Sequence, residues 1–141
     1  MNESSNTYVY FSLIGDDFDT NELTERLGIK PTESRNKGDK GNYNSSLRFS
    51  CWKISTEKGK EYYNVYKLIE EIVEILYSKI DIIIMLKDEY QLDSVLQIVL
   101  DIDINPNQST PALGYDLKTI DFLHQTKTTI DVDIYRFNSL E

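Results

Sequence analysis

Hydrophobic and polar positions alternate from the start of the patterned chain. In residues 7–15, TYVYFSLIG, Val9, Phe11 and Leu13 fall on one side of an extended chain, and Tyr8, Tyr10 and Ser12 on the other. This predicts a strand with one buried face. The period then changes. In residues 19–28, DTNELTERLG, Leu23 and Leu27 lie one helical turn apart. Asp19 can cap the first turn, and Glu22 stands three residues later, as in a capping box. Gly28 suits the left-handed residue that ends a helix, Ile29 can fold back on the last turn, and Pro31 blocks continuation.

A polar loop to about Ser45 separates this helix from a second strand, 46–55, SLRFSCWKIS. The clearest helix follows at about 62–77. Val65, Leu68, Ile69, Ile72, Ile75 and Leu76 make one apolar stripe, with Glu70, Glu71 and Glu74 facing out. Residues 79–90, KIDIIIMLKDEY, carry two signals. Their isoleucines favour a strand by propensity, while their length and the spacing Ile80, Ile83, Ile84, Lys87 favour a second short helix, which is the reading taken here. Residues 94–104 read as a strand, 116–126 as a helix with Leu117, Ile120 and Leu123 inward, and 128–137 as a strand with the cleanest alternation in the chain. The expected fold is α+β: a four-stranded, largely antiparallel sheet with helices packed on one face.

Composition narrows this picture. The 141 residues fit one domain, 1–141, with residues 1–6 expected to be a flexible N-terminus. At 40% hydrophobic and 11% aromatic, including ten tyrosines, the composition is globular. No apolar run is long enough to span a bilayer, and the first residues lack a signal-peptide pattern. Cys51 is alone, so no internal disulfide forms. The expected location is the cytoplasm. The net charge of −9 is uneven: residues 26–60 hold nine bases and three acids (+6), and the rest hold six bases and twenty-one acids (−15). So acidic a body repels phosphate backbones and argues against general nucleic-acid binding. It leaves room for a basic protein partner, or for a small anion at the basic loop.

That loop includes LGIKPTESRNKGDKGN, residues 27–42. It is not a nucleotide-binding loop of the Gly-x-x-x-x-Gly-Lys-Ser/Thr type. Gly38 precedes Asp39, Gly41 precedes Asn42, and the segment follows a helix rather than a strand. An anion could still meet Arg35, Lys37 and Lys40 with the backbone of Gly38 and Gly41. The plainer alternative is a solvated connection whose charge offsets the acidic body.

A second feature is a pair of Asp-x-Asp strands. LDIDI sets Asp101 and Asp103 on one strand face, and IDVDI does the same for Asp131 and Asp133. Side by side, the strands would gather four carboxylates on an open sheet face. A basic partner, a cation, or Lys53, Arg48 or Arg136 within the sheet could balance them. No calcium loop fits: from Asp17, the sixth position is Glu22 and the twelfth is Gly28. The single histidine, His124, and Cys51 carry no catalytic signature, and the inventory supports no zinc site. No metal, cofactor or catalytic residue is assigned. Trp52 reads as a core anchor, and Tyr62, Tyr63, Tyr66 and Tyr77 as margin residues with hydroxyls in water.

The order Leu27-Gly28-Ile29-Lys30-Pro31-Thr32, then Lys37-Gly38-Asp39, a strand with Trp52, an aliphatic helical stretch, and a closing Asp131-Val132-Asp133-Ile134-Tyr135 resembles the bacterial family catalogued as domain of unknown function 4279. The resemblance runs from about Tyr8 to Tyr135. It implies a compact α+β domain and brings no activity or catalytic residues. Small bacterial proteins of this sort are associated with immunity to toxins. The expected function is that of a non-catalytic protein-binding module, of the immunity-inhibitor type, using Asp101, Asp103, Asp131 and Asp133. The alternative is a small-anion or nucleotide-phosphate binder using residues 35–41. An acid–base or metal-dependent hydrolase stands third.

Overall fold

Val9, Phe11 and Leu13 are fully buried, so the first alternation marks a true core face. The computed structural model describes residues 6–41, 45–59 and 64–140. The first strand, β1 (Tyr8–Gly15), is followed by α1 (Thr20–Leu27), β2 (Glu33–Arg35) and β3 (Ser50–Ser55). Then come α2 (Val65–Leu76), a single 3-10 turn (Tyr77–Lys79), α3 (Ile80–Tyr90), β4 (Asp93–Asp103), α4 (Leu117–Thr126) and β5 (Thr129–Phe137).

The strands form one five-stranded sheet in the order β2-β3-β1-β4-β5. The expectation of an α+β domain holds, and two of its details change. First, Glu33–Arg35, inside the segment read as loop, pairs antiparallel with β3 as a fifth strand. Three exposed residues carry no alternation, so the pattern could not mark it. Second, β4 and β5 run parallel. A helix joins them, and a helical crossover returns the chain in its original direction.

One sheet face is covered. Trp52 lies opposite Leu13, and Leu96 and Ile54 flank Phe11. Onto these pack Leu23 and Leu27 from α1, Leu68, Ile69, Ile72 and Val73 from α2, Ile80, Ile83 and Leu86 from α3, and Phe122 from α4. Within residues 79–90, Ile80–Tyr90 form an α-helix, as their spacing suggested. Four positions of the apolar spacings are exposed. Ile75 and Ile84 are exposed, with Val73 and Leu86 taking the inward places. On α4, Leu117 and Ile120 point to solvent, while Thr119, Phe122, Leu123 and Thr126 are buried. The second strand begins at Ser50 rather than 46, and α2 at Val65; Tyr62 and Tyr63 lie outside the described residues, as does most of the expected flexible segment 1–6.

Caps fix the helix ends. Asp19 accepts from the Asn21 amide at 2.9 Å, and Gly28 closes α1 at φ 67° with its amide on the Thr24 carbonyl. The expected capping box does not close. Glu22 instead accepts the Tyr90 hydroxyl at 2.5 Å, and Arg26 meets Glu89 at 2.7 Å, tying α1 to the end of α3. The bond to Glu22 requires a protonated phenol, so the Tyr90 pKa is pushed up to about 12. A folded value above the unfolded one stabilises the fold fully below pH ~10, and the gain is lost as pH rises toward the folded value. Unfolding measured across that alkaline window should show a decline that Tyr90→Phe reduces. An unchanged slope in that variant would disconnect Tyr90 from it.

A lysine holds the far end of the helical layer. Lys87 donates to Ser94 Oγ at 2.7 Å and to the carbonyls of Thr126 and Lys127 at 2.7 and 2.9 Å. It thereby joins α3, the start of β4 and the C-terminus of α4, where a cation also suits the helix dipole. Burial pushes its pKa down. Helical spacing puts Lys87 on a helix face, but its partners come from distant segments.

Candidate partner-binding face and the basic loop

The face away from the helices carries the chemistry. On β1 it shows Tyr8, Tyr10 and Ser12, on β3 Cys51, Lys53 and Ser55, and on β2 Glu33 and Arg35. Gln97, Val99, Asp101 and Asp103 of β4 lie beside Asp131, Asp133, Tyr135 and Phe137 of β5. Tyr8 and Tyr10 stack with centroids 6.0 Å apart. They lie opposite Val99 and Gln97, which are buried although no helix among the described residues covers them.

All four predicted aspartates share this face, but the register staggers them. Asp131 lies opposite Gln97 and Asp133 opposite Val99, whereas Asp101 meets Tyr135 and Asp103 meets Phe137. The stagger avoids direct like-charge pairs across the strands. Their surroundings differ as well. Asp103 is 7% exposed, and its Oδ1 accepts from the amides of Asn105 and Ser139 at 3.0 and 3.1 Å. Burial alone would raise its pKa, yet these amides and the Ser139 hydroxyl hold the carboxyl below its usual range. Asp103 is thus a structural tie between the loop after β4 and the chain end, and Asp103→Lys would perturb the fold as well as any surface. Asp101 is half-buried and accepts from the Asn6 amide at 3.0 Å.

Asp131 and Asp133 remain exposed, and among the described residues neither forms an ion pair. The three bases that could have balanced them lie elsewhere. Lys53 approaches Glu33 at 3.5 Å and sits 4.2 Å from the Tyr10 ring centroid. Arg136, opposite Ile102, has the parity of the other face, and Arg48 lies outside the strands. The charge of Asp133 and Asp131 reaches Tyr10: after burial and Tyr8, it helps raise that phenol. The open face therefore grades from a Glu33–Arg35–Lys53 cluster, over stacked tyrosines, to an acidic edge that forms no ion pair among the described residues.

The basic loop is internally bonded. The Gly38 amide donates to the Leu47 carbonyl at 2.9 Å, and the Gly41 amide to the Ser45 carbonyl at 2.6 Å. Asn36 donates to Asp39 Oδ2 at 2.8 Å, and Lys37 donates through its amide to Ser50 Oγ at 3.0 Å. Arg35 pairs with Glu33 at 2.8 Å, and Lys37 Nζ lies 3.8 Å from Asp16. Lys40 is exposed and forms a bridge to Ser46. The glycine amides that an anion nest needs are occupied.

Cys51 and His124 do not form a site. Cys51 shares the open face with Lys53, His124 is exposed on α4 across the sheet, and burial pushes the Cys51 thiol up, away from the reactive thiolate. Trp52 is fully buried, as expected, with Nε1 donating to Thr24 Oγ1 at 3.0 Å. Among the described residues no three His, Cys, Asp or Glu side chains group as metal ligands, and no helix is long and apolar enough to cross a membrane.

No curated protein and no solved structure gives a significant match to the chain. A family model does: the one described as Domain of unknown function (DUF4279) matches residues 5–137, nearly the whole sequence. Its span takes in every strand and helix, the basic loop and the open face, and the chain belongs to this family.

Proposed function

We propose that the protein is a non-catalytic protein-binding module that works in the cytoplasm, and that its contact surface is the open sheet face around Asp131 and Asp133. The observation that carries this reading is the exposed acidic edge, without an ion pair among the described residues, beside Tyr135, which is itself 58% exposed. Two exposed carboxylates next to an exposed aromatic ring suit a basic protein surface. Charge of this kind steers encounter, and tyrosine supplies contact area at low entropic cost. Occlusion of a basic functional site, as by an immunity-type inhibitor, is the mechanism that fits.

The small-anion reading at residues 35–41 is less well supported, because the Gly38 and Gly41 amides are already spent. The test is affinity capture from lysate of the source cells with the wild type and with Asp131→Lys/Asp133→Lys as baits. The fold of the variant is checked by circular dichroism. A stoichiometric protein retained by the wild type and lost by the folded variant is the expected result. Equal retention by both would remove the acidic edge from the interface.

A further inference from the structure

The edge strand β5 is the place where binding can be made more specific. It terminates the sheet, and its outer side pairs with no other strand among the described residues. The carbonyls of Asp131 and Phe137 turn toward β4, where they accept from the Gln97 side chain at 3.3 Å and the Ile104 amide at 2.8 Å. Backbone polar groups alternate in direction along a strand. Those of Ile130, Val132, Ile134 and Arg136 therefore point outward.

The side chains along this edge are as informative as its backbone. On the helix side of the sheet, Ile130 and Ile134 are 39% and 60% exposed. On the open side stand Asp131 and Asp133. A long exposed edge with aliphatic residues is a template for another strand. A second copy of this chain cannot centre on the acidic pair without opposing like charges. In a symmetric antiparallel pair centred on Val132, Asp131 would face Asp133. Centred on Asp131 or Asp133, the central aspartate would face its own copy. Like charges directly opposed across strands destabilise pairing.

We propose that β5 receives an extended segment of a protein partner, one that alternates aliphatic and basic residues, as an added sixth strand. Its aliphatic residues would cover Ile130 and Ile134, its lysines or arginines would meet Asp131 and Asp133, and its backbone would pair with the outward groups of Ile130, Val132 and Ile134. The acidic pair then has two effects: it opposes self-pairing in the registers centred on residues 131–133, and it selects a basic strand. This inference rests on the protein-binding reading and adds the binding mode and the chemistry of the partner.

The probe is a synthetic peptide of the length of β5, nine residues, in which lysine alternates with isoleucine or valine. Controls are a peptide of the same composition with its lysines in one block, and the alternating peptide N-methylated at every second amide. Binding is read by fluorescence anisotropy and by hydrogen exchange on the full chain. The alternating peptide should bind and protect the amides of Ile130, Val132 and Ile134. Both controls should bind roughly tenfold more weakly or worse, since each loses strand hydrogen bonds or register. Ile134→Pro, which removes one outward amide at an edge position where proline is tolerated, should weaken binding by a similar factor.

Three results would overturn the proposal. No binding by the alternating peptide is one. Binding lost on Asp131→Lys/Asp133→Lys yet indifferent to N-methylation and to Ile134→Pro is another; it would leave the acidic-face reading standing and discard strand addition. A concentration-dependent dimer abolished by Ile134→Pro would give the edge to a second copy instead.

Discussion

Replacing Trp52 by alanine is expected to lower stability by about 3–5 kcal/mol, the usual cost of emptying a large aromatic site. Trp52 is fully buried on β3, opposite Leu13 of β1 on one side and Ser34 of β2 on the other. Its indole donates to Thr24 Oγ1 on α1 at 3.0 Å. One side chain therefore ties the short edge strand, the sheet centre and the first helix together. Domains are stable by only about 5–15 kcal/mol in total, so the loss is a large fraction of the whole. In urea, the midpoint should fall sharply with little change of slope. Thr24→Val removes this hydrogen bond together with the one Thr24 Oγ1 donates to the Thr20 carbonyl at 3.2 Å, and should cost about 1–2 kcal/mol. A Trp52→Ala loss below that of Thr24→Val would mean the site collapses around the cavity and Trp52 is not the anchor described.

Much of the fold could be read from periodicity, because burial on one side imposes a period. β1 shows this, with Val9, Phe11 and Leu13 all buried, and so does α1, whose Asp19 and Gly28 caps stand where their chemistry places them. What failed depended on distant neighbours. β2 is three exposed residues whose strand character comes from pairing with β3, through contacts such as Lys53–Glu33 at 3.5 Å. The parallel pairing of β4 and β5 is a matter of sheet order, to which local pattern is blind. β5 alternates most cleanly, and that pattern suggests a buried face. Yet Ile134 is 60% exposed because the strand lies at the edge.

The candidate face was legible in part for the same reason. Alternation placed Asp101, Asp103, Asp131 and Asp133 on one face, and they share it. It could not show that the register staggers them, or that Asp103 is consumed by the amides of Asn105 and Ser139. Nor could it show that Lys53 turns to Glu33 and Tyr10 and so does not pair with the β5 aspartates. The basic loop reads as a nest only while its own carbonyl partners, Leu47 and Ser45, are unknown.

The orientation of α4 supplies the second large effect. Phe122→Ala should cost about 3–5 kcal/mol, and Leu117→Ala should stay within about 0.5 kcal/mol of the wild type. Hydrophobicity alone gives the reverse emphasis, since Leu117, Ile120 and Leu123 recur at helical spacing. The structure rotates the helix so that Thr119, Phe122, Leu123 and Thr126 face the core, at a spacing equally helical. Thr126 can occupy that face because its hydroxyl finds partners: its Oγ1 donates to the Phe122 carbonyl at 2.7 Å and lies 2.7 Å from the Thr128 hydroxyl. A satisfied hydroxyl is cheap to bury, so its methyl packs like that of a small aliphatic residue. The choice then falls to shape. The Phe122 ring stands edge-on to Phe11 of the central strand, with centroids 5.8 Å apart and planes at 66°, a contact that Leu117, 84% exposed, does not make. Chemical denaturation of the two variants decides between the orientations. A larger loss from Leu117→Ala than from Phe122→Ala would require α4 to be turned over, and with it the helical layer that leads into β5.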